Sequence, residues 1–144
     1  MIYTALTKKA LSLCFDAHKG QVDKSGLPYV FHPFHLAMEM TDELSTVVAL
    51  LHDVIEDSNY TLQDLENMGF PPAVLEAISL MTHQEGVPYM EYVASIKTNP
   101  LARVVKMADL RHNSNIARVD NPTEKDYARV EKYRQAMALL EQAE

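Results

Sequence analysis

Apolar side chains recur at intervals of three and four residues along most of the chain, the spacing of helices with one buried face. Start and stop signals divide this pattern, among them His18 as a cap before Gly20 and Pro33 in a first turn. The predicted helices cover about residues 4–18, 32–41, 50–57, 61–69, 72–82, 89–97, 100–113 and 123–142. Because no alternating runs bounded by Asn-Gly or Asp-Gly turns indicate strands, the sequence predicts an all-α bundle.

Residues 50–57, Leu-Leu-His-Asp-Val-Ile-Glu-Asp, combine an apolar helix face with a polar one. The predicted polar face carries His52, Asp53, Glu56 and Asp57. Three carboxylates beside one imidazole repel one another unless a cation joins them. The segment is therefore typical of a metal site, and a solvated acidic helix face has the same pattern.

The helix predicted at residues 100–113 places a carboxylate on its apolar side. Asp109 and His112 share one arc of the helical wheel with Leu101, Val104, Val105, Ala108 and Ile116. A carboxylate that faces a core is costly unless it is paired or bound to a metal. Asp109 is therefore a candidate functional residue.

Four candidate metal ligands emerge from these segments. They are His32, which its position before Pro33 puts at a helix entrance, and His52, Asp53 and Asp109. Two imidazoles and two carboxylates favour Mn²⁺, Fe²⁺ or Mg²⁺ over a closed structural zinc site. Such an ion lowers the pKa of a bound water, and Glu56 and Asp57 would stand next to that water as proton acceptor and orienting group.

Further polar residues offer contacts for an anionic ligand. Lys24 and Ser25 lie in a loop and suit a phosphate, although an ordinary polar turn has the same composition. Asn113 can orient a ligand or a bound substrate. Arg129 and Tyr133 are four residues apart and suit phosphate and base contacts, but the pattern alone favours a surface salt bridge and a core aromatic.

Composition narrows the class of protein. The 144 residues, with a hydrophobic share of 47%, suit one domain, and the net charge of −7 argues against a nucleic-acid partner while leaving room for a small phosphorylated substrate. Cys14, the single cysteine, is interpreted as a reduced core residue. No apolar run is long enough to span a membrane and no signal segment opens the chain, so a cytoplasmic protein without a membrane partner is expected.

Five stretches, in order along the chain, resemble the HD superfamily of metal-dependent phosphohydrolases, whose ligand pattern is H…HD…D. They are residues 18–21 (HKGQ), 24–29 (KSGLPY), 32–33 (HP), 49–57 (ALLHDVIED), and 106–109 (KMAD) with 112–113 (HN). More narrowly, the chain is similar to the hydrolase domain of RelA/SpoT-type alarmone enzymes and their stand-alone small relatives. Those enzymes remove the 3′-pyrophosphate from ppGpp and pppGpp with Mn²⁺.

The resemblance implies an HD/phosphodiesterase-like helical bundle formed by residues 1–144 as one hydrolase domain, without pyrophosphokinase activity. The implied metal ligands are His32, His52, Asp53 and Asp109, and the implied pair serving the hydrolytic water is Glu56 with Asp57. The implied nucleotide contacts are Lys24, Ser25, Asn113, Arg129 and Tyr133.

Three positions depart from the family pattern. Asp23 stands where the family usually has an arginine that packs on guanine, and Leu27 replaces an acidic residue. The order Asp109-Leu-Arg-His-Asn moves an arginine by one position, which is about 100° around a helix. The sequence thus predicts an intact metal centre beside an altered specificity pocket.

Three functions are compatible with these features. The first is a Mn²⁺-dependent hydrolase of (p)ppGpp, and the second is a hydrolase with the same metal chemistry and another nucleotide or phosphorylated metabolite as substrate. The third is a non-catalytic nucleotide-sensing module, which would have no need of the water-activating pair Glu56 and Asp57.

Overall fold

The structure is a computed structural model that describes residues 1–142. Its helices are α1 (Ala5–Ala17), α2 (Phe31–Glu39), α3 (Glu43–Leu51), α4 (Val54–Asp57), α5 (Leu62–Asn67), α6 (Pro72–Met81), α7 (Tyr89–Lys97), α8 (Pro100–Asn113) and α9 (Glu124–Glu141), with a 3₁₀ turn at Ile116–Arg118. Over this range the strand-type pairing is one isolated bridge between Val22 and Pro28. The prediction of an all-α fold is confirmed. Within residues 1–142, no helix has both the length and the apolar character needed to cross a membrane.

Helix α3 lies at the centre of the bundle, where it packs against α1, α2, α6 and α8. Residues 47–51 of this helix are fully buried, and Ser45 and Thr46 are buried as well. A helix that is buried on every side needs neighbours all round it. The residue that directly follows its C-terminal end, His52, therefore lies in the interior of the molecule. Cys14 also lies in the core, and burial raises the pKa of its thiol to about 12.

The prediction of one continuous helix over residues 50–57 is wrong. Helix α3 ends at Leu51, His52 and Asp53 form a turn, and α4 starts at Val54. The Nδ1 atom of His52 lies 2.7 Å from the carbonyl oxygen of Ala49, the group that would accept from the N–H of Asp53 in an uninterrupted helix. This side chain therefore competes with the helical ladder, and His52 is buried (2% exposed) instead of lying on a solvent-facing arc.

The apolar face predicted for residues 100–116 also differs from the structure. Helix α8 ends at Asn113, and Ile116 lies in the 3₁₀ turn, where the side chain of Asn115 accepts from the N–H of Ala117 (3.2 Å). Val104 is 46% exposed, whereas Val105, Lys106 and Asp109 are buried. The buried face of α8 thus includes two charged side chains, and it carries Asp109 into the core as the sequence predicts.

Candidate metal centre and nucleotide site

Four side chains from three parts of the fold meet beside the C-terminal end of α3. His32 comes from the first turn of α2, His52 and Asp53 from the turn after α3, and Asp109 from α8. One donor atom of each lies within 4.8 Å of the others. This compact arrangement brings the whole predicted ligand set together.

His52 shows why this cluster suits a cation. Its Nδ1 atom faces the carbonyl of Ala49, which can only accept a hydrogen bond, so the proton of the neutral ring lies on Nδ1. Its Nε2 atom is buried, lies 2.9 Å from Asp53 and 3.4 Å from Asp109, and makes no well-oriented hydrogen bond within the described residues. A nitrogen lone pair facing two carboxylates is unfavourable unless a proton or a metal ion lies between them. Although burial would lower the pKa of His52, the Asp53 and Asp109 carboxylates raise it well above its usual value.

His32 is oriented from both sides of its ring. Its Nε2 atom lies 2.8 Å from the Asp109 carboxylate, and its Nδ1 atom lies 2.7 Å from Nδ1 of His112. His112 in turn stacks on His35, with ring centroids 4.0 Å apart. Partial burial, followed by the charge of Arg118, lowers the pKa of His112 to about 3, so this ring is neutral and can accept the Nδ1 proton of His32. Nε2 of His32 is then left free to bind a metal.

The two carboxylates of the cluster also have partners outside it. The hydroxyl of Tyr29 donates to Asp53. The ammonium of Lys106 lies 2.9 Å from Asp109 and over the ring of Tyr92, 5.3 Å from its centroid. Burial alone would raise the pKa of Asp109, but Lys106, with His32 and His52, holds it well below its usual value. Both aspartates are therefore anionic ligands at neutral pH.

The donor set thus fits a divalent cation. Two imidazole nitrogens and two carboxylate oxygens match the ligands of manganese, iron and magnesium sites, and each ligand has a partner that fixes its orientation. The buried and unpartnered Nε2 atom of His52 is the observation that supports this fit most directly.

Glu56 and Asp57 lie next in the chain, on the single turn of α4. A carboxylate oxygen of Glu56 accepts from the N–H of His83 (2.5 Å), which ties α4 to the segment after α6. The side chain of Gln21 donates to the carbonyl of Asp57 (2.7 Å), and its own oxygen lies 2.8 Å from Nδ1 of His18. Partial burial raises the pKa of both carboxyl groups, and the charge of Asp53 adds to the shift. Both groups are thus more basic than free carboxylates.

A cavity of about 380 Å³ opens beside the cluster. His32 and Tyr29 line it on the side of the cluster, and all five predicted nucleotide contacts also line it, namely Lys24, Ser25, Asn113, Arg129 and Tyr133. The structure therefore brings together residues that lie more than a hundred positions apart in the chain.

Three of these five contacts are already held by protein groups. The hydroxyl of Ser25 donates to the carbonyl of Arg118 (2.6 Å), and the amide of Asn113 donates to Asp109 (3.1 Å). The guanidinium of Arg129 donates to Asp126 (3.1 Å). Arg129 thus makes a salt bridge, as its sequence pattern alone predicts, and it also lines the cavity. A role for these residues in nucleotide binding stays a prediction.

The Asp23 carboxylate is held by hydrogen bonds within its own loop. Its Oδ1 atom accepts from the N–H groups of Ser25 (2.9 Å) and Leu27 (3.0 Å), which caps the loop. Its Oδ2 atom lies 3.9 Å from the guanidinium of Arg118, which also lines the cavity. A cation is therefore present in the cavity even though position 23 does not supply it.

Sequence reasoning missed several residues that support the site: Tyr29, His83, Lys106, His112 and Arg118. Lys106 and His112 carried a signal, because they lie three residues either side of Asp109 and thus on its helix face. Contacts of Tyr29, His83 and Arg118 cross between segments far apart in the chain, and the sequence holds no periodic signal for them.

The chain matches no profile of a known protein family. It is 30% identical over 126 residues to a probable GTP pyrophosphokinase of Mycobacterium leprae, covering 79% of this chain and 16% of that protein. It is 31% identical over 121 residues to the bifunctional (p)ppGpp synthase/hydrolase SpoT of Escherichia coli K12, covering 74% of this chain and 17% of that protein. The chain thus spans about a sixth of the length of these curated relatives.

A solved structure, described as a metazoan ortholog of SpoT that hydrolyses ppGpp, shares the fold. It superposes with a TM-score of 0.82 at 23% sequence identity, covering 98% of this chain and 88% of that one. The solved structure shows that the two chains share a fold. Sequence similarity over about three quarters of the chain places it with the RelA/SpoT-type HD proteins.

Proposed function

We propose that residues 1–144 form one hydrolase domain that removes pyrophosphate from the 3′ position of guanosine tetra- and pentaphosphates, with Mn²⁺ as the metal. The observation that carries the proposal is the joint placement of the ligand cluster and a cation-lined cavity. The names of the relatives support the substrate, since several are called guanosine-3′,5′-bis(diphosphate) 3′-pyrophosphohydrolases.

The ligands His32, His52, Asp53 and Asp109 would hold the ion, which supplies Lewis-acid chemistry by neutralising phosphoryl oxygens and acidifying water. Lys24 and Arg129 would bind the phosphates. The amide of Asn113, fixed by its bond to Asp109, would orient the sugar-phosphate end of the substrate.

Glu56 would act as the general base. It takes a proton from water as the water oxygen bonds to the phosphorus next to the ribose, and Asp57 orients the same water. The bond from phosphorus to the ribose 3′ oxygen breaks, and that oxygen takes up a proton. The products are pyrophosphate and the guanosine 5′-di- or triphosphate. A raised carboxyl pKa suits this role because it makes Glu56 a better proton acceptor.

The test is release of pyrophosphate and GDP from ppGpp by the purified protein with Mn²⁺. We expect turnover in the wild type and its loss in Asp53→Asn, which keeps the shape of a ligand but removes its charge. A folded, Mn²⁺-loaded protein that leaves ppGpp intact would refute the proposal. Turnover of other nucleotides in preference to ppGpp would favour the second function, and tight nucleotide binding without turnover of any would favour the sensing module.

A further inference from the structure

Two oppositely charged side chains, those of Asp23 and Arg118, lie beside each other in the lining of the cavity. Asp23 lies in the loop after α1, and Arg118 ends the 3₁₀ turn between α8 and α9. The distance from Nη2 of Arg118 to Oδ2 of Asp23 is 3.9 Å, which is too long for a hydrogen bond. The pair is thus in electrostatic contact without a direct hydrogen bond at these atoms.

Each member of the pair is fixed by its other atoms. Oδ1 of Asp23 accepts from the N–H groups of Ser25 and Leu27. Nη1 of Arg118 donates to the carbonyl of His112 (2.9 Å) and contacts the amide oxygen of Asn113 (3.4 Å). Oδ2 and Nη2 take no part in these bonds, and the side chains stay 21% and 28% exposed. An acceptor and a donor are thus held side by side within reach of a ligand.

The charge of the cavity indicates which part of a ligand meets this pair. Asp23 is the one carboxylate among the described residues that line the cavity, while Lys24, Arg118 and Arg129 are cations. A phosphate beside Asp23 would be repelled, whereas a neutral heterocycle with N–H donors would not be. The pair therefore suits the base of a nucleotide better than its phosphates.

We propose that Asp23 and Arg118 together recognise guanine, with Arg118 donating to O6 and Asp23 accepting from N1–H and the 2-amino group. Adenine has the opposite order on this edge, because its 6-amino group donates and its N1 accepts, so it would set donor against donor and acceptor against acceptor. The assignment rests on the proposed function, since it takes a guanosine nucleotide as the ligand.

The test is the ratio of the GDP and ADP dissociation constants, measured by titration calorimetry on the metal-free protein at nucleotide concentrations up to the millimolar range. We expect the wild type to bind GDP at least about fivefold more tightly, the lower end of what one well-placed base contact gives. Asp23→Asn places an amide donor at the Oδ2 position, and Arg118→Gln shortens the donor and removes its charge. Each should bring the ratio close to one, whereas Arg118→Lys, which still donates to O6, should keep part of the preference.

Arg111→Gln is the matched control. Arg111 is exposed, pairs with Glu39 (3.5 Å) and lies outside the cavity, so this variant loses the same charge and should keep the wild-type ratio. Thermal unfolding of every variant checks that it is folded.

An unchanged ratio in both Asp23→Asn and Arg118→Gln would overturn the assignment, and so would a wild type that shows no preference or no measurable GDP binding. Because the titration needs neither metal nor turnover, its result is separate from that of the hydrolysis test. A protein that prefers GDP through these two residues but does not cleave ppGpp would refute the proposed function and support the base assignment. A protein that cleaves ppGpp, but whose ratio of GDP and ADP dissociation constants is unchanged in both variants, would support the proposed function and refute the base assignment.

Discussion

At the scale of single residues, the stability of the candidate metal centre depends on how its buried charges are paired. Asp109 is 6% exposed and stays ionised because Lys106, itself 8% exposed, lies 2.9 Å from it. A bound cation would add a second positive neighbour to the same carboxylate. Lys106 therefore matters most to the stability of the protein when no metal is bound.

Replacing Lys106 with Met should show this dependence. Met keeps an unbranched side chain but removes the ammonium that lies over Tyr92 and leaves Asp109 buried without its lysine, so we expect the unfolding free energy of the metal-free protein to fall by about 3–5 kcal/mol. The loss should be smaller with saturating Mn²⁺, which neutralises Asp109 in place of Lys106. Urea unfolding with EDTA and with Mn²⁺ measures both values. Lys8→Met, at an exposed position of α1, is the control and should stay within about 0.5 kcal/mol of the wild type. Equal losses with and without metal would contradict this account.

His112 provides a prediction about pH. Its pKa of about 3 in the fold lies below the usual value of 6.5, so between these two pH values the unfolded chain binds more protons at this residue than the folded chain does. The stabilising contribution of neutral His112 is complete above pH 6.5 and decreases as the pH falls toward 3. In His112→Asn this contribution is absent, while the amide oxygen can still accept from His32.

The stability difference between wild type and His112→Asn should therefore be largest near pH 8 and shrink steadily toward pH 4. Denaturant unfolding of both metal-free proteins at several pH values measures this difference. A difference that stays constant across the range would show that His112 stabilises the fold through packing alone.

At the scale of elements, the break between α3 and α4 determines how the site is built. In an uninterrupted helix, His52 and Asp53 would lie 100° apart on one surface. The turn instead puts His52 in the core and leaves Asp53 partly exposed, with Glu56 and Asp57 on a separate single turn. That turn has few backbone bonds of its own, so its position depends on contacts with other segments.

Glu56 should therefore have two separable roles, as an anchor of α4 and as the proposed base. Glu56→Gln retains an oxygen that can accept from the N–H of His83, so its thermal unfolding midpoint should stay close to that of the wild type. Its hydrolysis rate should fall about 10²–10⁴-fold because an amide cannot take the proton. Glu56→Ala should lose the same activity and about 1 kcal/mol of stability besides. Calorimetry and a ppGpp assay on both variants measure the two effects, and full activity in Glu56→Gln would exclude it as the base.

The same elements show what the sequence can predict. Apolar spacing and caps located most helices. Thr61 and Asp64, for example, have the spacing of a capping box and form one at the start of α5. The helical wheel placed His52 wrongly because the helix is interrupted there, where the His52 side chain contacts the carbonyl of Ala49. The spacing of apolar residues carries no information about such a contact. Asp109 was predictable because a carboxylate on the apolar side of a helix needs a partner or a metal ion. The contact of Arg118 with Asp23, in contrast, depends on tertiary packing alone.

At the scale of the whole molecule, the ligand cluster joins helices that are distant in the chain. A bound ion would connect α2, the turn after α3, and α8, so binding and folding should be coupled. In the metal-free protein, the two carboxylates raise the pKa of His52 and so favour its protonated ring, and a proton on Nε2 would offset the repulsion between Asp53 and Asp109. A metal ion must displace that proton to bind Nε2.

Mn²⁺ binding should therefore raise the stability of the protein and release about one proton per ion at pH 7. At a free concentration a hundred times the dissociation constant, the gain in unfolding free energy should be about 2.7 kcal/mol. Titration calorimetry in buffers of different ionisation enthalpy counts the protons, and urea unfolding at matched Mn²⁺ concentrations measures the gain. Asp53→Asn should bind Mn²⁺ more weakly and release fewer protons, because the loss of one carboxylate lowers the pKa of His52 toward its usual value. Mn²⁺ binding to the wild type without proton release would mean that His52 is already neutral, and that another group offsets the repulsion between the two carboxylates.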